Sequence, residues 1–119
     1  MNTYRIQQQG NLVFSEEAFQ FNKSPEVCQD ALRKIYEALT LLNQHGTERD
    51  YLGKRIKFTK RSGLWELRIK GKSKTEWRFL FKHLSDSEYA LLHFFLKKDE
   101  KIKELDFAAA ERIAEREGW

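Results

Sequence analysis

Apolar residues recur at helical spacing over Val27, Ala31, Ile35, Ala38, Leu39 and Leu42. That rhythm places one side of a helix against a core. Ser24-Pro25 precedes the run and Gly46 follows it. A serine cap with proline at the first helical position, and a glycine stop, predict a long helix over Pro25 to about His45. The rhythm then changes to two. Trp65, Leu67 and Ile69 alternate with Glu66, Arg68 and Lys70, and Trp77, Phe79 and Phe81 alternate with Arg78, Leu80 and Lys82. Alternation of this kind predicts two half-buried strands, and the short Gly71 to Lys74 segment between them predicts a hairpin. Tyr89 to Leu96 is apolar on both faces, as in a strand covered on both sides. Helical spacing returns from about Lys103 with Leu105, Ala108, Ala109, Arg112 and Ile113, running towards Gly118.

Weaker signals complete the picture. Tyr4 to Gln8 reads as a short strand, Leu12 to Phe14 as a second strand or a turn after Gly10, and Ser15 as the cap of a helical turn. Thr47 to Ser62 is polar and basic and reads as a loop or short helix. The order is therefore strand, helix, three-strand antiparallel meander, helix. It predicts an α+β fold in which a small antiparallel sheet carries its long helix on one face. At 119 residues the chain is sized for one domain spanning residues 1–119.

Composition narrows the class. The single cysteine, Cys28, allows no intrachain disulfide and no multi-cysteine metal site, which suits a reducing cytoplasm. The polar start MNTYRIQQQG has no apolar signal region, and Tyr89 to Leu96 is too short to span a bilayer. A cytoplasmic protein with no membrane partner is expected. The net charge of +4 is unevenly spread. Gly53 to Lys82 carries 11 basic and 2 acidic residues, whereas the segments before and after it are acidic on balance. A concentrated basic stretch suits a polyanion, because phosphates attract Lys and Arg without regard to base identity.

Gly63-Leu64-Trp65-Glu66-Leu67-Arg68, Trp77-Arg78-Phe79-Leu80-Phe81, Leu91-Leu92-His93-Phe94-Phe95-Leu96-Lys97-Lys98 and Ala109-Ala110-Glu111-Arg112 follow in order. Together these blocks resemble the RelE/ParE toxin superfamily, and most of all its phage-derived HigB-like branch. The resemblance covers Gly63 to Arg116 and implies a RelE-like fold. It also implies the toxin of a toxin–antitoxin pair, a ribosome-dependent, metal-independent endoribonuclease that needs no cofactor. The partners implied are messenger RNA, the ribosome and a cognate antitoxin of helix-turn-helix type. Fold alone does not separate this from a ParE-like inhibitor of DNA gyrase.

The residues themselves supply candidates for that chemistry. Arg78 lies opposite the apolar side of its strand, and its guanidinium fork matches two phosphate oxygens. Arg68 shares its face if the hairpin is in simple register. Lys97 and Lys98 close the third meander strand and match the family's terminal basic pair. Glu66 suits proton transfer or the orientation of an arginine. Lys54, Arg55, Lys57, Lys60, Arg61 and Lys70 form the wider RNA-binding set. His93, amid apolar neighbours, reads as a core histidine, and Trp65 and Trp77 as sheet-face residues. The family's tyrosine or histidine after the basic pair is missing, for Asp99-Glu100-Lys101 stands there.

Overall fold

A computed structural model describes residues 7–71, 75–98 and 101–119. Six strands form one mixed sheet: β1 (Gln7–Gln9), β2 (Leu12–Phe14), β3 (Ile56–Arg61), β4 (Leu64–Lys70), β5 (Glu76–His83) and β6 (Tyr89–Lys97). Their spatial order is β1-β2-β6-β5-β4-β3. Neighbours are antiparallel except β2 and β6, which run parallel. The helices are α1 (Glu16–Phe19), α2 (Gln29–His45), α3 (Arg49–Leu52) and α4 (Glu104–Glu117), with 3₁₀ turns at Gln20–Asn22 and Gly53–Arg55.

The alternation in β4 and β5 divides the sheet into two faces. Leu67, Ile69, Trp77, Phe79 and Phe81 join Ala31, Ile35, Ala38, Leu39 and Leu42 of α2 in the main core. The opposite face carries Leu64, Leu80, Ala90 and Leu92 beneath Ala110, Ile113 and Ala114 of α4. Strand β6 serves both sides, with Leu91 in one cluster and Leu92 in the other, which explains its unbroken apolar run. The sheet is therefore sandwiched, with α2 on one face and α4 over part of the other. Gly46 ends α2 at φ +60°, and a Cβ there would run into the Tyr89 hydroxyl. Ser15 caps α1 as expected, its hydroxyl accepting from the Ala18 N–H at 3.0 Å.

Three sequence expectations need correction. Ser24-Pro25 does not open α2. Val27 N–H donates to the Ser24 carbonyl at 3.2 Å, closing a four-residue turn, and the helix starts after Cys28. Proline suits the second position of such a turn as well as the first position of a helix. Thr47 to Ser62 is more than a loop or short helix: it holds α3, a 3₁₀ turn and edge strand β3, so the meander has four strands. Helix α4 is also phased differently, since Leu105 is exposed and Ala110, Ile113, Ala114 and Glu117 are buried. The first strand runs Gln7–Gln9, and Tyr4 and Ile6 lie outside the described residues, as do Lys72 to Lys74 of the hairpin turn and Asp99-Glu100.

Helix α4 is pinned by charge as well as apolar contact. Arg61 reaches Glu104 at 2.5 Å and Glu111 at 3.0 Å, and Arg116 reaches Glu17 at 2.6 Å. The guanidinium hydrogen bonds hold Glu17, Glu104 and Glu111 below the usual carboxylate range. A depressed carboxyl pKa adds stability that is present above the unfolded value near 4.5 and is lost as pH falls through the folded value. The urea midpoint should therefore hold between pH 7 and pH 5.5 and drop below pH 4.5; a midpoint that rises on acidification would contradict the pinning. In the main core, Phe79→Ala should cost about 3–5 kcal/mol by urea titration, with little change in slope.

Candidate nucleic-acid interface

Register stacks the polar residues of the α4 face into rows that run across the sheet. Lys70, Glu76 and Lys97 are cross-strand partners in one row. Arg68, Arg78 and Phe95 form the next, and Glu66, Leu80 and His93 the third. Lys57 on β3 extends the third row beyond Glu66. All of these side chains point the same way, because partners directly across a sheet share a face and residues two apart repeat it. Helix α4 covers the apolar end of that face, and the charged rows lie at the other end.

Carboxylates knit the charged rows together. Arg68 Nε donates to Glu66 Oε1 at 2.5 Å. Arg78 Nη2 donates to Glu76 Oε1 at 2.5 Å, and Nη1 donates to the Trp77 carbonyl at 3.1 Å. Glu66 Oε2 lies 3.8 Å from Arg78 Nε, too long for a hydrogen bond, so this contact acts through charge alone. Glu66 therefore bridges two arginines. The Arg78 hydrogen bond holds the Glu76 carboxyl below the usual range. Among the described residues no group of three or more His, Cys, Asp or Glu is placed to hold a metal ion.

Beside the rows lies a cleft of about 740 Å³, bounded by α2, α3, the Gly53–Arg55 turn and the ends of β4, β5 and β6. Seven of its described lining residues are cationic and three are acidic. Arg68, Arg78, Lys70 and Lys97 line it, and Lys54 and Arg55 form part of its far wall. A concave surface with excess positive charge concentrates field and favours an anionic ligand.

The expected site residues fare differently. Arg68, one-third exposed, presents its guanidinium at the cleft. Arg78 does lie opposite the Trp77 side of its strand and beside Arg68, but it is only 2% exposed and its guanidinium is committed to protein oxygens. The expectation of a free phosphate-gripping fork at Arg78 is thus corrected: covered by its neighbours, it supports the site from beneath. Glu66 is equally buried and orients both arginines. Lys98 is exposed but lies outside the cleft lining, unlike Lys97. Lys57 and Lys60 are exposed on β3 and also lie outside that lining. Arg61 is occupied by Glu104 and Glu111, so it is a structural tie to α4.

Sequence reading missed three cleft residues. Glu76 was hidden because strand alternation does not show which carboxylate an arginine will choose. Lys34 of α2 and Tyr51 of α3 reach the cleft only through tertiary folding. His93 is half-buried, with Nε2 2.9 Å from Asp106 Oδ1 of α4, a satisfied histidine as expected.

A RelE-like α+β fold with a cation-lined cleft beside its central strands describes the class of protein. The chain belongs to the family described as "Phage derived protein Gp49-like (DUF891)", whose profile matches residues 21–115. That family is associated with toxins of toxin–antitoxin systems of the RelE/HigB type, which points to an antitoxin partner. No curated protein matches the sequence. No helix among the described residues is long and apolar enough to cross a membrane.

Arg78 is a buried cation facing Glu66 and Glu76, whereas Arg68 sits at the rim but gives the buried Glu66 its hydrogen bond. Arg78→Ala should lower unfolding free energy by about 3–5 kcal/mol, and Arg68→Ala by about 1–3 kcal/mol, because it leaves an oxygen of buried Glu66 without its hydrogen bond. Equal, small effects in urea titration would show that Arg78 does not have the supporting role assigned to it.

Proposed function

We propose that this chain is the toxin of a toxin–antitoxin pair and cuts messenger RNA on the ribosome without a metal ion. The observation that carries the proposal is the cleft in which Arg68, Lys70 and Lys97 meet Lys54 and Arg55 across a concave surface. In the proposed reaction the ribose 2′-oxygen attacks the adjacent phosphorus and the bond from phosphorus to the 5′-oxygen breaks. The products are a 2′,3′-cyclic phosphate and a 5′-hydroxyl. The crowded intermediate gains negative charge, and preorganised cations aimed at it lower the barrier. Arg68 supplies the planar fork, held in orientation by Glu66. Lys70 and Lys97 flank it one row away.

Two protons must move. Glu76 is the more exposed carboxylate of the charged rows and the one given the task of accepting the 2′ proton, although the Arg78 hydrogen bond that lowers its pKa makes it a weaker base than a free glutamate. Lys97, its cross-strand partner, is placed to donate to the leaving 5′-oxygen. Glu66 is less suited to either task, because both arginines draw on it and solvent does not reach it. The antitoxin would silence the protein by covering this cationic surface with acidic residues or a helix.

One observation favours the second reading, a gyrase-binding inhibitor without nuclease activity: the Arg78 guanidinium is spent on internal contacts. Expression in growing cells separates the two. The nuclease reading expects growth arrest with new transcript ends by primer extension, and at least a hundredfold loss of cleavage in Arg68→Ala. Intact transcripts with an SOS response would favour the gyrase reading, and undiminished cleavage in folded Arg68→Ala would refute the role given to that residue.

A further inference from the structure

Tyr51 is the aromatic residue among the described residues of the cleft wall, and the residue is 53% exposed. It projects from the one-turn helix α3, which the buried Leu52 anchors. The ring of His45, at the end of α2, lies flat against it, with centroids 3.7 Å apart and planes 3° from parallel. One face of Tyr51 is thus backed by a second ring from a different helix. Tyr51 also lines the cleft that holds Lys54, Arg55 and Arg68.

We infer that Tyr51, backed by His45, is a stacking platform for an unpaired nucleobase of a single-stranded RNA lying in the cleft. Every base offers a π-face to an aromatic ring, and the flanking cations take the backbone phosphates. The pairing of the two features selects the ligand. A cation attracted to the ring would be repelled by its neighbours, and a neutral sugar would leave the cations unused. Parallel backing by His45 restricts the ring before the ligand arrives, so less freedom is lost on binding. The inference rests on the nuclease reading for the fate of the RNA, and on Tyr51 for the contact.

The test uses the full chain and a set of hexaribonucleotides with 2-aminopurine stepped through each position. Stacking should quench the probe strongly at one or two adjacent positions. Tyr51→Ala should abolish that quenching and weaken binding about tenfold, whereas Tyr51→Phe should retain both. Because Tyr51 is exposed, Tyr51→Ala should keep the thermal midpoint close to that of the parent, which separates lost stacking from lost folding. Parent-like binding and quenching in Tyr51→Ala would overturn the platform alone. Failure of the parent chain to bind any hexamer would overturn the platform, while the nuclease reading stands or falls on cleavage of messenger RNA on the ribosome. Tyr51-dependent quenching in a chain that leaves transcripts intact would uphold the platform and refute the nuclease.

Discussion

Burying the Arg78 guanidinium between Glu66 and Glu76 is the constraint on which the sheet's charged face depends. A guanidinium removed from water is costly unless carboxylates and carbonyls meet it. Here Glu76 and the Trp77 carbonyl supply hydrogen bonds, and Glu66 adds charge. The bridge through Glu66 fixes Arg68, so the exposed arginine inherits its position from the buried one. The cluster also marks where the core stops. On one side of it, Leu80, Ala90 and Leu92 lie under α4; on the other, Lys70 and Lys97 border open solvent.

That division explains why the sheet needs two different helices. Helix α2 covers a continuous aromatic and aliphatic face, and its amphipathic rhythm matches it. Helix α4 covers only part of the opposite face and is tied down at both ends by Arg61 and Arg116. A helix running the full length of that face would close the cleft. The partial cover leaves the ends of the central strands accessible, with cations from β4 and β6 facing cations from the Gly53–Arg55 turn.

Much of this was legible in the chain. Alternation at Leu64 to Lys70 and at Trp77 to Lys82 gives the hairpin and the faces of Arg68 and Arg78, because a strand's side-chain period is set by backbone geometry. Strand β3 was not legible, since an edge strand needs few apolar residues and is protected by charge; only Ile56 and Phe58 remain of its apolar signal among Lys57, Lys60 and Arg61. The Ser24-Pro25 signal was ambiguous because a turn and a helix start favour the same dipeptide. Lysines and arginines in one basic stretch looked equivalent, yet Arg61 is spent on α4 whereas Arg55 lines the cleft, paired there with Glu37 at 3.4 Å. Pairing is a tertiary choice, and it also sent Arg78 inward. Tyr51 gave no signal because its stacking partner, His45, belongs to another helix.

The proposed activity requires this cationic cleft to break an RNA backbone by intramolecular attack. The most direct measurement incubates the purified chain with ribosomes and a defined messenger RNA in excess chelator, and determines the chemical form of any new ends. That activity predicts fragments that end in a 2′,3′-cyclic phosphate and begin with a 5′-hydroxyl. Uncut RNA, or cleavage that appears only when divalent metal is restored and leaves a 5′-phosphate, would contradict it.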